Sequence, residues 1–311
     1  MSRWSDGDVP DQTGRVALVT GATGGLGLRV ASVLAAHGAR VLVGSRNPDR
    51  GEAALAAVTA NASGTAPELV NIDLSSLRSV DDAVEQVLIL TGGSLDLLVN
   101  NAGVMAPPLR FSVDGFESQW ATNVLGAAAL TWRLVPALEA TPGSRVVFVS
   151  STRHLSATLS EARIRADVRG RDYRGFDYYG RTKLADLVLS RQLDKHFGRR
   201  GIDAMALAAH PGFSATSIVE NGFAALPGVI RPIANWGGRV FGQPVEMGAL
   251  PILYAATAAD AVGGAYYGPR SLGGLRGYPG PAKRARQSLD DETGAMLSRV
   301  VSELSGVSEP D

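Results

Sequence analysis

Short, wholly apolar runs alternate with stretches of helical apolar spacing through the first two-thirds of the chain. The runs Arg15–Val19, Arg40–Gly44, Pro67–Ile72, Leu95–Val99, Arg145–Val149 and Ile202–Ala208 predict strands. They lack the polar alternation of a half-exposed strand, as expected where helices cover both faces of a sheet. Helices are predicted over Gly25–His37, Asp49–Asn61, Ser76–Leu90, Gly115–Glu139 and Tyr178–Phe197. Ser75 or Ser76 stands in capping position before the apolar Val80, Val84 and Val87 of the third helix. The alternation predicts an α/β fold with a parallel sheet and right-handed crossovers. Ligands in such sheets bind beyond the carboxyl ends of the strands. From about Gly212 Gly, Pro and aromatic residues mix with short helical stretches, and a last helix is predicted over Asp290–Leu304.

Composition narrows the function. The 311 residues are 45% hydrophobic and 19% charged, enough for a sizeable core. Lys+Arg and Asp+Glu both total 30, which argues against a general nucleic-acid binder. The absence of cysteine excludes disulfides, thiolate catalysis and cysteine-based zinc sites. His37, His154, His196 and His210 are scattered without metal-ligand spacing, so no metal is expected. The stretch Met1–Gln12 is polar, unlike a signal peptide, and no run is long and apolar enough to span a bilayer. A cytoplasmic protein is the expectation.

Four segments, each after a strand or on the helix that follows one, carry the chemistry. The turn Thr20-Gly21-Ala22-Thr23-Gly24-Gly25-Leu26-Gly27 suits a nucleotide phosphate: glycines allow close approach, and the next helix presents its first N–H groups to the anion. Its spacing fits two dinucleotide patterns, one through Gly21, Gly25 and Gly27, the other through Gly21, Gly24 and Gly27. The second strand ends in Gly44-Ser45-Arg46, without the carboxylate that would bind ribose hydroxyls and favour NAD. Arg46 instead suits a 2′-phosphate, so NADP(H) is preferred, with NAD(H) as the alternative. Asp73, beside Leu74 after the third strand, is placed either to meet the adenine amine or to cap a helix.

The remaining segments are Asn100-Asn101-Ala102-Gly103, Ser150-Ser151 and Tyr179-Gly180-Arg181-Thr182-Lys183. Tyr179 and Lys183, four apart, share one helix face. A free phenol is a poor acid–base catalyst at neutral pH, and a neighbouring ammonium stabilises its phenolate. Tyr178 has Thr182 in the corresponding position, so only Tyr179 qualifies. Ser151 is placed to hold a substrate oxygen beside the phenol; Ser150 competes for that role. Asn123 lies in an apolar helical segment, where a buried amide needs a partner.

Together these residues resemble the short-chain dehydrogenase/reductase family over about Gly14 to Tyr278. Asn123 and His210-Pro211-Gly212 followed by Thr216 add to the match. Asn-Asn-Ala-Gly is similar to the simple one-domain members, which resolves the glycine spacing. The resemblance implies a single-domain Rossmann fold with a doubly wound, seven-stranded parallel sheet, the seventh strand near Ala265–Tyr267. It implies Tyr179 as general acid/base, Lys183 binding the nicotinamide ribose, Ser151 positioning the carbonyl and Asn123 holding a water. Asn100, Asn101, Ala102 and Gly103 would secure the sheet beside the adenosine; Pro211, Gly212 and Thr216 would cradle the nicotinamide. Within the family the chain is similar to the retinol dehydrogenase-like and WW-domain oxidoreductase-like branch, through Gly44–Asn47, Val149–His154, Tyr266–Pro269 and Arg276–Pro279.

The expected organisation is a polar arm over 1–13, a dinucleotide-binding and catalytic domain over 14–285, and a C-terminal helix and tail over 286–311. A substrate segment at 213–245 holds Ile218, Phe223, Leu226, Ile233, Trp236 and Phe241. The expected activity interconverts an apolar alcohol with its aldehyde or ketone, in a homodimer or homotetramer as family members often form. A catalytically silent NADP-binding redox sensor is the alternative.

Overall fold

The computed structural model of the protein describes residues 3–213 and 243–310. The described strands are β1 (Val16–Thr20), β2 (Arg40–Ser45), β3 (Glu68–Asn71), β4 (Leu97–Asn100), β5 (Ser144–Val149), β6 (Ala204–Ala209), β7 (Tyr266–Ser271) and β8 (Arg276–Pro281). They form one sheet in the order β3-β2-β1-β4-β5-β6-β7-β8. All neighbours are parallel except β7 and β8. The order reverses beside β1, which opens a crevice between the loops after β1 and β4.

The helices are α1 (Gly25–Ala36), α2 (Pro48–Thr59), α3 (Leu77–Thr91), α4 (Ser118–Trp120), α5 (Ala127–Glu139), α6 (Glu161–Asp167), α7 (Gly175–Arg200), α8 (Val245–Thr257) and α9 (Asp291–Ser305). Strand periodicity divides the core into two layers. Leu18, Leu98, Val146 and Phe148 face α3, α5, α7 and α9, whereas Ala17, Val19, Leu97, Val99, Val147 and Val149 face α1, α2 and α8. Alternate side chains of one strand point to opposite faces, so runs without polar residues are what a doubly covered sheet requires.

Two expectations are corrected. The sheet has eight strands rather than seven, and β8 is antiparallel. Its Gly- and Pro-containing sequence, Arg276–Pro281, disguises it. Being at the edge, β8 tolerates prolines that a central strand would exclude. The helix expected from Gly115 starts at Ser118, because Gly115 sits in a turn with φ 80° and Glu117 caps the next N–H groups, those of Gln119 at 3.0 Å and Trp120 at 3.1 Å. Between α4 and α5 the backbone makes a π-helical turn over Ala121–Gly126.

The polar start of the chain is packed down. Trp4 meets the Tyr254 ring edge-on at 5.3 Å, Asp6 pairs with Arg29 of α1, and Val9 is buried. The charged stretch before α7 is also structural. Asp167, fully buried, takes two hydrogen bonds from Arg181 at 2.5 and 3.0 Å and one from Trp120 Nε1 at 3.3 Å.

Candidate active site

A cleft of 290 Å³ opens at the carboxyl ends of β1, β2, β3 and β4. The predicted residues Gly21, Thr23, Gly24, Gly25, Leu26, Gly27, Ser45, Arg46, Asp73, Leu74, Ala102 and Gly103 all line it. At its base Thr20 Oγ1 accepts hydrogen bonds from the N–H groups of Asn101 and Ala102, at 3.1 and 3.0 Å. Gly24 precedes α1 without any side-chain cap, leaving the helix's first N–H groups for a ligand. A Cβ added at Gly24 would meet nothing within 4 Å. The cradle therefore fits a pyrophosphate.

At the end of β2, Ser45 is buried and its hydroxyl donates to Asn47 O at 2.8 Å. Arg46 is exposed along the cleft wall. Arg50, which the sequence reading missed, joins it four residues on. Asp73 Oδ1 accepts from the N–H and hydroxyl of Ser75, at 2.9 and 2.7 Å. Ser76 rather than Ser75 caps α3, accepting from Ser79 N at 3.3 Å.

The two asparagines after β4 divide their work. Asn100 is buried off the cleft and donates to Thr131 of α5 at 2.8 Å, tying sheet to helix. Asn101 lines the cleft and donates to Thr20 O at 2.8 Å and Gly21 O at 3.3 Å.

Beyond Gly103 the second half of the site begins. A Cβ placed on Gly103 would lie 3.6 Å from Lys183 Nζ and 3.3 Å from Asn123 Oδ1. The Asn123 amide, in the π-helical turn, accepts from Val104 N at 2.8 Å and donates to Val104 O at 3.0 Å and Thr182 Oγ1 at 3.1 Å. Its side chain is thus spent on clamping the loop after β4 to α7; π-turns of this kind recur at functional sites. Gln119 reinforces the clamp, accepting from Ala106 N at 2.9 Å and donating to Gly175 O at 3.1 Å.

On α7, Lys183 Nζ lies 5.8 Å from the centre of the Tyr179 ring and donates to Val149 O at 2.8 Å. Tyr178 points the other way: its ring packs against Arg181 and its hydroxyl donates to Arg171 O at 2.6 Å. Ser150 is buried and donates to Lys183 O at 2.7 Å. Ser151 is only half-buried, and its Oγ accepts from Arg153 N at 3.3 Å, which leaves its own proton to donate. Ser151→Ala is accordingly expected to lower kcat by roughly 10²-fold. Ser150→Ala should chiefly lower the melting temperature, since it removes a buried hydrogen bond worth about 1 kcal/mol. Steady-state rates and thermal melts of both variants check this; the reverse pattern would transfer the role to Ser150.

Pro211 and Gly212 follow β6. Gly212 N donates to His210 Nδ1 at 3.2 Å, and φ at Gly212 is 68°. Burial holds the His210 imidazole down at about 4, helped by nearby His154, so it is neutral at physiological pH. Thr216 and the apolar residues from Ile218 to Phe241 lie outside the described residues. Their flanks converge: Gln243 N donates to Phe213 O at 2.7 Å and Gln243 Nε2 to Pro211 O at 2.6 Å. Phe213 and Gln243 thus stand side by side beyond the carboxyl end of β6. Among the described residues no helix is long and apolar enough to cross a membrane, and no acidic, His or Cys cluster could hold a metal.

Comparison with known proteins agrees with this nucleotide-binding α/β architecture. The family model described as short chain dehydrogenase matches residues 15–161. The chain is 37% identical to polyprenol dehydrogenase of Mus musculus over 265 residues, 83% of this chain and 76% of that one. It is 33% identical to retinol dehydrogenase 14 of Mus musculus over 274 residues, 84% and 80% of the two chains. Among solved structures, an uncharacterized protein from Mycobacterium Paratuberculosis superposes with a TM-score of 0.80 at 34% identity, covering 100% of both chains. The chain belongs to the short-chain dehydrogenase/reductase family and is an NAD(P)-dependent oxidoreductase.

Proposed function

We propose that the protein interconverts a long apolar alcohol, of isoprenoid type, and its aldehyde or ketone with NADP(H). The observation that carries this reading is the meeting, at Gly103, of the dinucleotide cleft with Lys183 and Asn123. Gly21 to Gly27 and Asn101 would hold the pyrophosphate, Arg46 and Arg50 the 2′-phosphate, and Pro211 with Gly212 the nicotinamide end. When bound, the nicotinamide supplies or accepts the hydride. In reduction Ser151 donates a hydrogen bond to the carbonyl oxygen, and Tyr179 gives that oxygen its proton. Lys183 stabilises the resulting phenolate until it regains a proton from water; oxidation runs the same transfers backwards.

Two relatives named for polyprenol and retinol support the substrate class. The sequence between Phe213 and Gln243 is rich in apolar residues, which suits contact with such a chain. The test is NADPH oxidation with long isoprenoid aldehydes beside short polar ones. A higher kcat/KM for the long aldehydes supports the reading; preference for the polar ones would overturn the substrate class. In the same assay Arg46→Ala should raise KM for NADPH roughly 10–100-fold, the value of one charge-assisted contact, and that for NADH less than about threefold. Equal effects on both would place the 2′-phosphate elsewhere.

A further inference from the structure

Lys183 carries a buried counter-charge that the reaction above does not use. Asp186, at i+3 on α7, accepts a hydrogen bond from Lys183 Nζ at 2.8 Å. The two side chains are 6% and 4% exposed. With Val149 O also taking a hydrogen bond at 2.8 Å, two of the three N–H groups of the ammonium are committed and one is left for the site. On a helix surface such a pair contributes little. Enclosed, it decides whether the lysine keeps its charge, because an unpaired buried ammonium sheds its proton. Burial does work against the charged form of Lys183, but Asp186 and Tyr179 outweigh it and hold the proton more tightly than in free lysine. Asp186 is itself pushed up to about 6 by burial, against the pull of Lys183. Above that pH it is an anion.

We propose that Asp186 is a positioning residue: as counter-ion of Lys183 it fixes the ammonium beside Tyr179 and sets the upper pH limit of the phenol-plus-ammonium state that reduces a carbonyl. The proposal rests on the reading of Tyr179 as proton donor. The sign follows from charge alone. Removing an anion beside a phenol and an ammonium lowers the pH at which the pair loses its first proton, whichever group gives it up. A unit charge several ångströms away in a protein interior shifts that step by roughly one pH unit or more. Among the described residues, the other titratable group beside the pair is Tyr266 of β7, and around its ring stand Arg284 at 5.9 Å and the imidazoles of His154 and His210 at 5.3 and 5.1 Å. Burial holds both imidazoles below their ordinary range, so neither titrates in the alkaline limb.

The experiment compares Asp186→Asn and Asp186→Glu with the native chain, each with and without Tyr179→Phe. The difference in phenolate absorbance across pH reads Tyr179 by itself and needs no turnover. The midpoint should move by about one unit or more in Asp186→Asn, down where the phenol gives up the first proton and up where Lys183 does, and stay close to native in Asp186→Glu. The alkaline limb of kcat/KM for carbonyl reduction, which reads the first proton the pair loses, should fall by about one unit or more in Asp186→Asn. An unchanged midpoint or an unmoved or raised alkaline limb in Asp186→Asn would overturn the proposal, as would a Glu variant that behaves like Asn. Thermal melts establish that each variant is folded; should Asp186→Asn fail to fold, Asp186→Ser is read the same way. A native chain without turnover would count against the oxidoreductase reading, while the absorbance midpoints would still decide the role of Asp186.

Discussion

Tyr179→Phe will stop carbonyl reduction and leave NADPH bound. The expected fall in kcat is roughly 10³-fold, the usual scale for losing a positioned proton donor. The dinucleotide Kd should change by less than about threefold, since the phenyl ring fills the same space and Tyr179 is already buried. Adjacent Tyr178 cannot replace it, because its hydroxyl is turned to Arg171 O at 2.6 Å. Initial rates of NADPH oxidation together with a fluorescence titration of NADPH give both numbers. A kcat within tenfold of native would assign the proton to another group.

Gly27→Ala should be the most damaging change in the dinucleotide half of the site. A Cβ there would come within 2.5 Å of Gly21 O and closer still to Asn101 Nδ2. Neither neighbour is free to move, because Asn101 Nδ2 is bonded to Thr20 O at 2.8 Å and Gly21 O at 3.3 Å. The turn must open, which costs about 1–3 kcal/mol as overpacking and spoils the alignment of the N–H groups at the start of α1. We expect a lower melting temperature and a loss of NADPH affinity of roughly 100-fold or more. Gly24→Ala is the control: it meets nothing within 4 Å, so its melting temperature should stay within a few degrees of native. Equal melting temperatures for Gly27→Ala and the native chain would refute the packing argument.

Most of the nucleotide half was legible because its signals are local. A strand, a tight glycine turn and a helix start lie within the span Val16–Gly27, and each is specified by its own residues. The Tyr179–Lys183 relation was equally local, being a matter of helical spacing. Boundaries within such signals moved little: β1 runs Val16–Thr20 against an expected Arg15–Val19. The start expected at Gly115 moved to Ser118, because Gly115 turns with φ 80° and Glu117 caps the helix.

The illegible parts are those in which partners are distant in sequence. Ser150 and Ser151 are the same residue type in adjacent positions, and only the return of α7 past β5, bringing Lys183 O to Ser150, separates their environments. Asn100 and Asn101 alternate in direction at a strand end, so one meets Thr131 and the other Thr20. The strand β8 exists because β7 offers it an edge; its prolines would have argued against any strand considered alone. Asp186 shows the limit most clearly. Its i+3 spacing from Lys183 was visible in the sequence, but an exposed pair and an enclosed one read identically there. The sequence by itself determined the α/β layering, the glycine turn and the shared face of Tyr179 and Lys183, because local geometry and strand periodicity suffice for them. Only the tertiary structure decided which serine keeps a free proton, which asparagine reaches the cleft and that Lys183 is buried against an anion, because burial and long-range hydrogen bonds are properties of the packed chain.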